Sequence, residues 1–212
     1  MHTEGSGEMI LERIVCIIIG YAWGNILTAD LVARYQLHSS AFDIGSHNPG
    51  MANIGHLLGA RWALVVLAGD IGKTVAACVI SWLLFAPALG NLAILYAGCG
   101  AVIGHNLPCW HHMHGGKGVT VTCATIVLFD PLVGLIALVL GLIVVYASHY
   151  LCVGAIAIPA CFLIGECWIH ASTETLVLCA FLLLMMILRH GGAVYRAYEG
   201  TEPKTNLGVH RS

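Results

Sequence analysis

Residues 131–165 read PLVGLIALVLGLIVVYASHYLCVGAIAIPACFLIG, and no charged side chain occurs between Asp130 and Glu166. At a rise of about 1.5 Å per residue, a hydrocarbon core of about 30 Å takes about 20 helical residues. The stretch is therefore too long for one crossing and long enough for two. Its polar midpoint, Ser148-His149-Tyr150, is the natural turn between them. A second charge-free stretch runs from Lys73 to Lys117 and divides in the same way at Ala86-Pro87-Ala88-Leu89-Gly90-Asn91. These two stretches decide the fold class: an all-α polytopic membrane protein.

The rest of the chain agrees. Of 212 residues, 58% are hydrophobic and 9% are charged, against roughly 25% charged in a soluble domain. Mean hydropathy is +0.86. A compact globule cannot hide that much apolar surface, so lipid must solvate part of it. With nine Lys and Arg, no basic run and a net charge of −2, nucleic acid is not an expected partner. Nine Cys are scattered without a C-x-x-C pair, which suits small buried hydrophobes better than a disulfide framework or a zinc ribbon. Glu4, Glu8 and Glu12 precede the first apolar run where a secretory signal would be basic, so the first span is expected to be retained.

Reading outward places helices near 10–30, 60–85, 91–105, 118–129, 131–148, 151–170 and 173–189, about seven transmembrane helices with the fourth too short to cross alone. Orientation follows the basic residues. Arg34, Arg61, Lys117, Arg189, Arg196, Lys204 and Arg211 fall on one side and Arg13 on the other. That predicts the N-terminus outside and the C-terminus cytoplasmic. The expected organisation is a single membrane-embedded domain over 1–212, with a short extracytoplasmic N-terminus (1–9) and a cytoplasmic tail (190–212).

Three polar clusters then share the inner face, in segments 31–58, 105–117 and 190–212. The first is Gly45-Ser46-His47-Asn48-Pro49-Gly50-Met51-Ala52-Asn53. Its glycines allow tight turns whose N–H groups converge on an anion, although an ordinary polar loop looks similar. The second runs from Gly104-His105-Asn106-Leu107-Pro108 into Gly115-Gly116-Lys117-Gly118-Val119. A glycine-rich turn opening a helix beside one Lys suits a phosphate: backbone donors, helix N-terminus and a point charge act together. It is not a nucleotide P-loop, since G-x-x-x-x-G-K-[ST] is absent. Between its halves, Cys109-Trp110-His111-His112-Met113-His114 brings no carboxylate, so an interfacial loop is preferred to a metal site. The third cluster, His190-Gly191-Gly192-Ala193-Val194-Tyr195-Arg196 with Gly200-Thr201-Glu202, reads either as a solvated anchor or as part of a site. Asp70 and Lys73 are three positions apart on the second helix and share a face, as a structural ion pair or a link to the site.

Order and spacing together resemble the bacterial acyl-phosphate:glycerol-3-phosphate acyltransferases of the PlsY type, over about residues 15–205. Gly104-His105 through Pro108 to Gly115-Gly116-Lys117-Gly118-Val119 is similar to that family's second motif; Gly45-Ser46, Asn48, Gly50 and Asn53 resemble the first; His190, Arg196, Gly200 and Glu202 fall at the spacing of the third. The resemblance implies transfer of a fatty acyl group from acyl phosphate to the 1-hydroxyl of glycerol 3-phosphate, in a bacterial cytoplasmic membrane with the site facing the cytoplasm. It implies no nucleotide, metal or other cofactor, and no partner beyond the two substrates and membrane lipid. It makes Ser46, His105 and Lys117 catalytic, with His105 an orienter or base. It makes Asn48, Gly50, Asn53, His56, Gly115, Gly116, Gly118, Cys152, His190, Arg196 and Glu202 substrate-binding.

The chain departs from the family pattern in several places. The Arg of Asp-Ile-Arg is missing after Asp43-Ile44, and a further Arg is His56. A Thr is Ala52, a Ser is Cys152 and an Asn is Ala193. Two alternative readings fit the same residues: a weakly active or inactive relative that binds phospholipid precursors or a partner, and a small transporter coupled through Asp70 and Lys73.

Overall fold

The computed structural model describes residues 4–205. Among these the chain forms nine α-helices and one short 3-10 turn, with no strand. It divides into two compact units, residues 1–129 and 130–212.

The first unit holds α1 (Glu4–Gly24), α2 (Thr28–Leu37), α3 (Met51–Leu58), α4 (Ala60–Leu89), α5 (Leu92–Asn106) and α6 (Val119–Phe129). At its centre α5 packs against α1, α4 and α6. Leucine buried against leucine adds little in lipid, which is equally apolar; close approach of backbones is what joins membrane helices. α1 and α5 meet in that way. Gly20 and Gly24 rest on Ala97 and Ala101, while Gly100 and Gly104 rest on the backbone of Ile17 and Tyr21. A β-carbon at any of these positions would overlap the facing backbone. Because Gly104 precedes His105, the same contact sets how deep His105 sits.

The second unit is α7 (Pro131–Ser148), α8 (Leu151–Trp168) and α9 (Thr173–Tyr198), with α8 packed on both neighbours. In α7 the large residues Leu132, Leu135, Ile136, Val139, Leu142, Ile143 and Tyr146 are exposed, and Gly134, Ala137, Gly141 and Val145 are buried. Large side chains outside and small ones inside is the arrangement lipid favours. Gly154 lies on Val145 and on the Gly141 carbonyl, which draws α7 and α8 together. The helix ends are written locally. Asp130 accepts the Val133 N–H at 2.9 Å ahead of Pro131, and Ser172 accepts the Thr175 N–H at 3.1 Å.

Among the described residues, six helical stretches are long and apolar enough to cross a membrane: Met9–Leu37, Ala60–Leu89, Leu92–His111, Pro131–Ser148, Leu151–Trp168 and Thr173–Tyr198. A seventh, Val119–Phe129, is apolar but shorter. The protein is an all-helical integral membrane protein.

Three sequence expectations need correction. Segment 31–58, expected as an inner-face segment carrying a polar cluster, contains the rest of α2 and the whole of α3, both too short to stand out by periodicity. Helix α4 does not stop at 85. Pro87 falls in its last turn, where it costs a single backbone bond, and Gly90 with φ 55° ends the helix instead. The stretch taken as a tail from 190 is helical to Tyr198, with His190 and Ala193 still buried on one face.

Candidate active site

The second polar cluster forms the floor of a cradle at the start of α6. The first α-helical bond there runs from the Thr122 N–H to the Gly118 carbonyl at 2.9 Å. The N–H groups of Val119, Thr120 and Val121 therefore precede the helical ladder, with the positive end of the helix behind them. Lys117, half-buried, makes no hydrogen bond or ion pair among the described residues. Asn106 is completely buried, and neither its amide nitrogen nor its amide oxygen has a partner; the Thr122 hydroxyl, 1% exposed, is also without one. Leaving such groups unpaired costs roughly 1–3 kcal/mol each. Asn106 lies directly on Gly118, whose φ of 78° and close approach both require glycine. Gly115 and Gly116 fold back on the end of α5, the Gly116 N–H reaching the His105 carbonyl at 3.0 Å.

His105 sits on a buried charge. Lys73 Nζ lies 2.8 Å from Asp70 Oδ1, 2.9 Å from His105 Nδ1 and 2.6 Å from the Ile26 carbonyl. Thr28 adds its hydroxyl to Asp70 Oδ1 at 3.2 Å. Asp70, Lys73 and His105 are 3%, 5% and 4% exposed. Residues from α2, α4, α5 and the turn after α1 thus meet at one point behind the glycine loop. On its other side the ring of His105 rests against Gly116.

The first cluster is shaped by Asn53. Its oxygen accepts the Ser46 N–H at 2.8 Å, and its nitrogen donates to the Ala41 and Ile44 carbonyls at 3.3 and 3.1 Å. Asn53 is therefore engaged as a clip inside the loop. Upstream, Asp30 accepts from Ser40 Oγ at 2.6 Å, the Ala41 N–H at 2.9 Å and Arg34 Nε at 2.7 Å. Ser46 is left exposed, Asn48 half-buried, Gly50 at the start of α3 and His56 exposed on it. The His-rich stretch is loop architecture. His111 stacks on Phe42 with centroids 3.6 Å apart, and the Trp110 indole donates to the Asn25 carbonyl at 2.8 Å.

In the second unit Arg196 Nε lies 2.7 Å from Glu202 Oε2, the chain turning back after Gly200. His190 is buried one turn after Met186, with Nδ1 3.0 Å from its carbonyl. Cys152 is buried in the first turn of α8.

The sequence reading quoted Asn106 within the second cluster but gave it no role, and it missed Thr122, Thr28 and Asp30, single polar residues with no motif around them.

A family model described as glycerol-3-phosphate acyltransferase matches residues 14–200. The chain belongs to this family. A glycerol-3-phosphate acyltransferase of Lactobacillus johnsonii is 38% identical over 93% of this chain and 94% of that one. A second, from Thermoanaerobacter, is 31% identical over 92% and 96%. Among solved structures, the glycerol 3-phosphate form of PlsY, an integral membrane glycerol 3-phosphate acyltransferase, superposes with a TM-score of 0.81 at 21% identity, covering 92% of this chain and 96% of that one. Its lysophosphatidic acid form gives a TM-score of 0.79.

Proposed function

We propose that this glycerol-3-phosphate acyltransferase takes its acyl group from a fatty acyl phosphate and delivers it to the 1-hydroxyl of glycerol 3-phosphate. The products are lysophosphatidic acid and inorganic phosphate, in the opening step of phospholipid biosynthesis. One observation supports this most: Lys117, without a partner among the described residues, the first-turn N–H groups of α6 and the buried Asn106 lie together, and all suit a phosphate.

An acyl phosphate is a mixed anhydride. The acceptor oxygen bonds to the acyl carbon, the bond from that carbon to the phosphate oxygen breaks, and the hydroxyl proton leaves with the phosphate. Catalysis of such a step rests on positioning and on stabilising negative charge. Gly115, Gly116, Gly118 and Lys117 hold the donor phosphate in this proposal, and Ser46, left exposed by the Asn53 clip, faces the reacting groups. Asn48, Gly50, Asn53 and His56 shape the binding loop. For Cys152, His190, Arg196 and Glu202 the proposal is a substrate-binding role, carried by the family resemblance. The buried Asp70–Lys73 pair is proposed as structural.

The same reading places the protein in a bacterial cytoplasmic membrane, N-terminus outside, with the cradle on the cytoplasmic side. The chain's basic residues support that orientation. The test is reconstitution in liposomes with labelled glycerol 3-phosphate and palmitoyl phosphate. Labelled lysophosphatidic acid should form with an equal amount of phosphate released. Absence of product with acyl phosphate, in protein that is folded by circular dichroism, contradicts the proposal.

A further inference from the structure

Taken as an ammonium, as its pairing with the Asp70 carboxylate at 2.8 Å favours, Lys73 constrains where His105 carries its proton. A lysine ammonium has three hydrogens and no lone pair. Its three near neighbours are the Asp70 carboxylate, the Ile26 carbonyl and His105 Nδ1, at 2.8, 2.6 and 2.9 Å. The first two only accept. For the third contact to be a hydrogen bond from the ammonium, Nδ1 must accept as well. The direct contact from Nδ1 to Asp70 is 3.9 Å, too long to compete. His105 is then the neutral tautomer with its hydrogen on Nε2. That nitrogen faces Gly116, because a β-carbon on Gly116 would overlap it.

We infer that His105 is a positioning residue: Asp70 and Lys73 lock it as an Nε2–H donor aimed at the Gly115–Gly116 turn, so that it shapes the phosphate cradle and does not act as a general base. This rests on the function proposed above for what the cradle holds, but the tautomer itself does not. A base would need a lone pair facing the reacting hydroxyl, and the one lone pair of this ring is taken by Lys73. The inference also explains why three polar side chains from two helices sit buried beside a loop to which none of them belongs.

The test has two arms. In protein labelled with nitrogen-15 histidine, with His105 assigned from a His105→Gln sample, its ring should show a protonated ε nitrogen and an unprotonated δ nitrogen. Lys73→Met should shift that pattern toward mixed tautomers. A protonated δ nitrogen in the wild type overturns the inference whatever the protein catalyses. In the kinetic arm, His105→Gln retains a donor near the ε position and His105→Phe does not. The Phe variant should raise KM for acyl phosphate about tenfold, the loss of one hydrogen bond to the loop, and the Gln variant should raise it several-fold less. A kcat that falls a hundredfold or more in both variants identifies a base and overturns the inference. Absence of turnover in the wild type contradicts the proposed function alone, and the resonance arm then decides the tautomer.

Discussion

At the scale of the residue, Asn106 separates stability from function. Its side chain is buried without partners, so in the unliganded protein it is a cost, whereas under the proposed function its amide would donate to a bound phosphate. Asn106→Cys, an apolar side chain of nearly the same volume, should leave the melting temperature of the unliganded protein unchanged or higher. It should also raise KM for acyl phosphate about tenfold. A melting temperature several degrees lower with unchanged KM makes Asn106 purely structural. Gly116 carries the opposite lesson. A bulky residue there collides with the His105 ring, so loop and packing fail together. His56, exposed on α3 at the position where the family pattern implies an Arg, is a cleaner handle. His56→Arg should lower KM for glycerol 3-phosphate by about tenfold, the value of one charge-assisted hydrogen bond, and an unchanged KM would remove His56 from the acceptor site.

Between elements, the Asp70–Lys73 pair and the α1–α5 seam hold the first unit. Removing one member of a buried pair leaves an uncompensated charge and typically costs about 3–5 kcal/mol, while removing both costs far less. Lys73→Met and Asp70→Asn should each lower the melting temperature in detergent, and the double variant should recover most of the loss. Additive losses would mean that the pair is not coupled. Along the seam, Gly20→Leu drives a side chain into the Ala97 backbone, whereas Gly72 of α4 has nothing within reach of a β-carbon. Gly20→Leu should abolish folded expression, and Gly72→Leu should be neutral or slightly stabilising through helix propensity. Fluorescence-detected size exclusion compares the two directly. Equal profiles would show that the seam is looser than its glycines imply.

For the whole molecule, what the sequence revealed depended on distance along the chain. The α7–α8 hairpin was legible because its signals are local: a charge-free run, Asp130 and Pro131 opening α7, and a polar turn at 148–150. Helices α2 and α3 were hidden, since eight to ten residues span too few turns for a period to be told from a loop. The end of α9 was hidden because His190 and Arg196 resembled the polar residues of a tail. In the cradle the glycines and Lys117 were readable as a contiguous motif. The meeting of Lys73 with His105 was not, because it joins α4 to α5 through packing that no spacing encodes. Orientation belongs to this scale also. In a background lacking the native Cys, a cysteine placed at Lys117 should react with an impermeant reagent only after the cells are opened, and labelling from outside intact cells would invert the topology.

The central claim, that the start of α6 holds the phosphate of the acyl donor, is tested most directly by the two Michaelis constants of purified Lys117→Ala. Loss of one charge-assisted contact corresponds to about ten- to a hundredfold. The predicted result is a rise of that size in KM for acyl phosphate, with KM for glycerol 3-phosphate within about threefold of wild type. A rise confined to glycerol 3-phosphate, or no rise in either constant, would contradict it.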